Sequence, residues 1–390
     1  MPDGFWLAAA LLPLSAGFGW WLATSRYRVG ERRERDAVSS RYFRGLNYLL
    51  DERPDKAIEV FLKLAEINPE TAETHLALGN LFRRRGEVDK AIRYHRHIMS
   101  RSNLSEEHRT RALLELGEDY MRAGLLDRAE RLFSGLTGDG RHSETAVRNL
   151  LSIYQQEKDW ARAIVQARRL QRVADVDTRT VIAQFHCELA ESAWAAGDLD
   201  EARLHLRSAR GQHPDCVRAH LIEAGFDAQQ GRWSEAAAGY QRACELDPEI
   251  AVLVIDDLVR CFGQPGQRQA LLDWLERLID RGTTLSPVLA FASIQARADP
   301  ARAIDFLLEQ LQARPTARGL YHLLELMHRH GHDIADIDPE LLRDLMRRLL
   351  AEQPRFRCRQ CGFSGQTWHW QCPSCREWET TRPVVGVLGE

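Results

Sequence analysis

Four of the eight cysteines in this 390-residue chain stand where they can hold a metal ion. Cys358, Cys361, Cys372 and Cys375 form two CxxC pairs in FRCRQCGFSGQTWHWQCPSCREWET, with residues 362–371 between the pairs. A CxxC turn curls so that backbone N–H groups point at its sulfurs, and Gly362 after the first pair permits that geometry. Pro373 lies inside the second. Four thiolates close a tetrahedral shell at about 2.3 Å per bond, which leaves no open position for a substrate. The site is therefore structural or electron-transferring, not hydrolytic. Four sulfurs suit one iron or zinc ion equally, so the choice of metal stays open. So short a peptide has little core, and metal binding should supply most of its folding energy. Trp368, Trp370 and Trp378 are expected to cover the site or to dock it onto the last helices.

The other titratable clusters read as structure. Cys187, Cys216, Cys244 and Cys261 occur singly among apolar residues, where a thiol usually packs as a small hydrophobe. His328, His330 and His332 lack a fourth ligand, and Gly331 interrupts the helix, so a solvated turn is expected. There is no P-loop, GxSxG, HExxH or dinucleotide fingerprint, and no catalytic residue is assigned. The formal charge of −3 gives no global attraction to nucleic acid. At this length two or more structural units are expected.

A repeated helical hairpin positions the cysteines. Gly45, Ala57, Phe61 and Pro69 set a register of small, small, bulky and proline. Gly79, Ala91 and His95 repeat it about 34 residues later. Gly117, Ala129 and Phe133 follow after an insertion, then Leu151, Ala163 and Ala167. Ala190, Ala202, Leu206 and Pro214 come next, then Ala224, Ala236, Tyr240 and Pro248. Gly86, Gly124, Gly197 and Gly231 mark the turns. Small residues let paired helices approach closely, and bulky ones fill the space between hairpins. The pattern resembles the tetratricopeptide repeat over residues 39–248, in six copies. Over 249–353 it degrades, with Ala270, Trp274, Ala303, Leu307 and Pro315 keeping phase, so two or three divergent hairpins are expected. The fold class is then all-α: a repeat superhelix with a small C-terminal knuckle.

Such a superhelix binds partners on the concave face lined by the first helix of each hairpin. In this register Asn80, Arg83, Arg84, Arg111, Arg122, Arg148 and Gln155 fall there, a mainly basic groove suited to an acidic or extended peptide.

Phe5 to Thr24, FWLAAALLPLSAGFGWWLAT, carries no charge and as a helix spans roughly 30 Å, a bilayer core. Trp20 and Trp21 suit an interface, and Arg26, Arg28, Arg32, Arg33 and Arg35 follow. Positive charge after the run, and none before it, predicts a single transmembrane helix with the N-terminus outside and the rest cytoplasmic. A cleaved signal would need the charges first. The expected layout is an anchor over 1–25, a basic juncture over 26–38, repeats over 39–248 and 249–353, a knuckle over 354–380 and a tail over 381–390.

The knuckle resembles both rubredoxin knuckles and zinc ribbons. It departs from rubredoxin in its short spacer and in Arg376, not glycine, after the last cysteine. The whole order, anchor, arginine-rich juncture, repeats and CRQCGF…WQCPSCREWET, resembles the LapB/YciM family of lipopolysaccharide assembly proteins. That resemblance implies an inner-membrane adaptor regulating lipopolysaccharide synthesis by coupling the LpxC deacetylase to the membrane protease FtsH. Other lipopolysaccharide-pathway proteins are implied as partners, nucleic acid is not, and a homo-oligomer is compatible. Two other readings stay open: an iron electron carrier, and a nucleic-acid-binding zinc ribbon using Arg355, Arg357, Arg359 and Arg376, diluted by Glu377 and Glu379.

Overall fold

The computed structural model describes residues 42–48, 50–51, 53–67, 72–101, 104–138, 140, 142–263, 267–282, 284–331, 339–351 and 353–390. The expected anchor and basic juncture lie outside the described residues. Among the described residues no helix is long and apolar enough to cross a membrane. The chain divides into two compact units, Met1–Asp175 and Val176–Glu390.

In the first unit residues 42–48 are helical. Among the described residues seven further helices follow: α1 (Pro54–Ile67), α2 (Ala72–Arg84), α3 (Val88–Met99), α4 (Glu106–Arg122), α5 (Leu126–Gly135), α6 (Ser143–Gln156) and α7 (Trp160–Ala174). Each packs on its chain neighbour, α2 also packs on α4, and α4 on α6, as stacked hairpins require. The repeat register has a direct steric basis. A Cβ added at Gly45 would stand 2.8 Å from the ring of Phe61, and one at Gly117 would stand 2.6 Å from that of Phe133. At Gly79 the ring is His95, 2.2 Å away. Each helix glycine thus admits a ring from the partner helix. In the fourth hairpin the sizes are exchanged: Leu151 is paired in register with Ala167, and both are buried. Volume is conserved although neither residue is, which is how tightly packed interiors tolerate sequence change.

The second unit continues with α8 (Arg179–Ala195), α9 (Leu199–Gln212), α10 (Val217–Gln229) and α11 (Trp233–Leu246). A 3₁₀ turn, Pro248–Ile250, leads into α12 (Ala251–Cys261). Then come α13 (Arg268–Arg281), α14 (Ser286–Gln295), α15 (Pro300–Ala313), α16 (Ala317–Arg329) and α17 (Pro339–Ala351). First helices again meet across hairpins, α8 with α10, α12 with α14, and α14 with α16. The four scattered cysteines are buried in these helices or at their ends, with Cys187 and Cys216 sulfurs 3.9 Å apart. His328 and His330 are exposed at the end of α16, and Gly331 takes a φ of 73° as the turn residue.

Strands β1 (Phe356–Cys358), β2 (Ser364–Gly365) and β3 (Thr381–Pro383) form an antiparallel sheet in the order β2-β1-β3. Phe356 lies opposite both Gly365 and Pro383, and Cys358 opposite Thr381. The knuckle therefore runs past the boundary of 380 set from its cysteines, because β3 is needed to pair the free edge of β1. The residues after it are docked as well. Val387 accepts a hydrogen bond from the Ala317 amide at 2.7 Å, and Glu390 is buried.

Candidate metal centre

Two turns of the same design bring the cysteines together. In the first, the Gly362 amide donates to the Cys358 carbonyl at 3.0 Å and the Cys358 amide to the Phe363 carbonyl at 2.7 Å. In the second, Arg376 donates to Cys372 at 2.8 Å and Cys372 to Glu377 at 2.9 Å. Gly362 and Arg376 occupy the equivalent left-handed position, with φ of 79° and 61°. Arg376 thus does what glycine does in the first turn, at the steric cost a Cβ carries there, roughly 1–2 kcal/mol.

The four sulfurs lie within 4.8 Å of one another and could hold one metal ion. Cys358 and Cys375 are 3.8 Å apart, and Cys361 and Cys372 3.7 Å. A regular tetrahedron with metal–sulfur bonds of about 2.3 Å has edges of about 3.8 Å, so these separations fit a closed tetrathiolate shell. Cys358 and Cys372 are buried and Cys361 is exposed. Burial opposes ionisation of Cys358, yet the Thr380 hydroxyl and the amides of Cys361 and Gln360 outweigh it and bring its thiol down to about 6. The Phe363 amide lowers Cys361 likewise. At Cys375 the Glu377 amide acts in the same direction, but burial and hydrogen bonds shared with the other three sulfurs prevail and push the thiol up to about 12. A cation bound among the four sulfurs displaces the protons that the thiols still carry.

The knuckle is seated on the first-helix face of α8, α10 and the 3₁₀ turn. Arg218 of α10 is only 3 % exposed. Its guanidinium pairs with Glu188 and Glu191 of α8, each at 2.8 Å, and donates to Gln184 at 3.2 Å. The rings of Trp370 and Trp378 cover it at 5.7 and 6.0 Å. Trp378 also meets Phe185 of α8 edge-on at 5.8 Å. Trp368 and Trp370 pack against the apolar core built from α10 to α14. Gln184 donates to Glu379 at 2.6 Å, and burial raises the Glu379 carboxyl above its ordinary range. Outside this contact Arg359 pairs with Glu249 at 2.9 Å, and Arg382 with the same carboxylate at 3.2 Å. The expected docking of the tryptophans onto the last helices is therefore corrected. Trp370 and Trp378 sit hairpins further back, where a buried cation meets their faces. A smaller contact does reach α17, through Gln366, which donates to the Ala351 and Gln353 carbonyls.

Sequence reading missed Arg218, Gln184 and the two glutamates. A signal existed: Gln184 and Arg218 are 34 residues apart, so successive repeats place both at one position of the first helix.

The expected groove residues lie on α2 (Asn80, Arg83, Arg84), α4 (Arg111, Arg122) and α6 (Arg148, Gln155). Arg84, Arg111, Arg122 and Arg148 are exposed, while Asn80 and Gln155 are partly buried. Arg148 pairs with Glu144 at 2.8 Å. Arg83 requires a correction. Its guanidinium binds Glu115 at 2.6 Å, Glu118 at 2.9 Å and Asp119 at 2.9 Å, so it ties α2 to α4 and is not free for a partner. Asp119 in turn meets the buried His95 at 2.5 Å. At this point three carboxylates meet one guanidinium, so the face is not mainly basic here.

Fold and site define a helical-repeat scaffold that ends in a four-cysteine metal-binding knuckle. Residues 356–383 match the rubredoxin metal binding domain, and residues 38–71, 74–110 and 187–249 match tetratricopeptide repeats. The chain is 35% identical to the lipopolysaccharide assembly protein B of Escherichia coli K12 over 381 residues, covering 97% of this chain and 98% of that protein. It is 30% identical to the Haemophilus influenzae protein of that name over 392 residues, covering 96% and 97%. The chain belongs to the lipopolysaccharide assembly protein B family.

Proposed function

We propose that this chain is a non-enzymatic adaptor of lipopolysaccharide assembly, held at the inner membrane by residues 5–24 with its repeats and knuckle on the cytoplasmic side. It lowers the amount of the LpxC deacetylase by presenting it to the protease FtsH. The observation that carries this reading is the end-to-end match, at 35% identity over 97% of the chain, to relatives named for lipopolysaccharide assembly. The uncharged run followed by arginines supports the anchor, since a membrane-bound adaptor raises the effective concentration of its partners there. The exposed Arg84, Arg111, Arg122 and Arg148 supply one contact face, and Asn80 and Gln155 border it. Cys358, Cys361, Cys372 and Cys375 hold one zinc or iron ion, whose role is to keep the knuckle folded.

The test is replacement. In Escherichia coli cells depleted of their own relative, the full chain should restore a low level of LpxC. A chain lacking residues 1–25 should fold and fail. Undiminished LpxC in cells making the full chain contradicts the proposal, and so does full activity of the truncated one.

A further inference from the structure

The first-helix face of the divergent hairpins carries a second groove, bordered on one side by Arg355 at the start of the knuckle. It encloses about 590 Å³ between α12, α14 and α16. Its floor is apolar: Val252, Ile255 and Val259 form one stripe along α12, and Leu289 faces it from α14. Its walls are basic. Arg297, Arg318, Arg347 and Arg355 line it against a single carboxylate, Asp256. Arg347 is paired with Asp344 at 3.0 Å. Arg297 and Arg355 are exposed and enter no ion pair among the described residues.

The chain itself demonstrates what this wall accepts. The Glu390 side chain, 2 % exposed, pairs with Arg318 and takes hydrogen bonds from the Ser286 amide at 3.1 Å and hydroxyl at 2.7 Å. Three residues earlier the backbone is bonded to the start of α16 through the Val387 carbonyl. An irregular, carboxylate-bearing segment is therefore already seated at the edge of the groove, while Arg297 and Arg355 offer the same charge beyond it.

We propose that this groove is a docking site for an extended acidic segment of a partner protein, with an apolar side chain on the α12/α14 floor and carboxylates at Arg297 and Arg355. The charge and shape are complementary to such a segment, and guanidinium groups favour paired carboxylates. The site shares no residue with the face of α2, α4 and α6, and it does not depend on which pathway the chain serves.

The test uses the full-length chain in detergent and a fluorescein-labelled dodecapeptide of glutamates and serines with two leucines, read by anisotropy. Binding should weaken by about tenfold or more in the Arg297→Glu/Arg355→Glu double variant, as loss of two charge contacts predicts, and should weaken with added salt. Leu289→Glu should weaken it too, and a photo-cross-linker in the peptide should mark α12 or α14. Arg172→Glu/Arg207→Glu, at two exposed arginines outside both faces, should bind as the parent does. Equal binding by the groove variants overturns the proposal, as does equal binding of a peptide with lysine for glutamate. Binding of phosphatidylglycerol vesicles through Arg297 and Arg355 without binding of the peptide assigns the groove to a lipid surface and overturns it likewise. Because none of these readouts involves LpxC, failure here leaves the adaptor reading standing, and the reverse also holds.

Discussion

At the scale of single residues, the fold is governed by which side chain gives way to which. Gly117 leaves room for the ring of Phe133, so Gly117→Ala sets the gain in helix propensity against a clash in a closed core. The clash wins, and a loss of about 1–3 kcal/mol is expected in denaturant unfolding. A backbone effect of opposite sign is expected at Lys158. It has a φ of 57° at the turn where four other hairpins place Gly86, Gly124, Gly197 and Gly231. Lys158→Gly should stabilise the first unit by about 0.5–1 kcal/mol, measured the same way, and a destabilised variant would show that its side chain compensates the strain. His322 gives a pH dependence. Burial holds its folded pKa below the ordinary 6.5, and its ring meets the Ser293 hydroxyl at 2.8 Å. The unfolded chain therefore takes up the proton first, so its contribution is present above pH 6.5 and is lost as pH falls through the folded value. His322→Gln should reduce the fall in melting temperature between about pH 7 and pH 5, and an unchanged fall would remove His322 from the explanation.

At the scale of elements, the knuckle and the hairpins are coupled through Arg218. Two glutamates of α8 and two indoles of the knuckle converge on it, so the buried cation is shared between elements. Arg218→Ala leaves Glu188 and Glu191 facing each other without a counter-charge, and breaking a buried pair this way costs about 3–5 kcal/mol, discounted here because Glu191 is partly exposed. The variant should keep its metal while Trp370 and Trp378 become more accessible to acrylamide quenching. Loss of metal together with quenching would mean that docking, and not only the thiolates, holds the knuckle folded. The arrangement was only partly legible beforehand. The repeat register emerged from Gly45, Gly79 and Gly117 because small residues at a fixed period leave a sequence trace. The cysteine turns emerged because CxxC is local. Docking through Arg218 and the indoles joins residues more than 150 positions apart, and only the Gln184 to Arg218 spacing hinted at it. Arg83 misled for a related reason: an arginine on a first helix looks solvated until the acidic neighbours of the next hairpin, Glu115, Glu118 and Asp119, are brought against it.

At the scale of the whole molecule, the chain separates recognition from closure. Hairpins supply long faces with charge and apolar stripes, and the knuckle returns along the second unit to cover one of them. Its fold is expected to depend on a metal-filled shell of four sulfurs, since the sheet has strands of only two or three residues. The most direct test of this account is the metal content of the purified full-length chain and of four variants, Cys358→Ser, Cys361→Ser, Cys372→Ser and Cys375→Ser, with Cys216→Ser as control. The parent and the control should carry about one zinc or iron ion per chain, and each of the four should carry almost none, because a hydroxyl is a poor ligand in a thiolate shell. Full metal content in the four variants, or its loss in Cys216→Ser alone, would contradict the account.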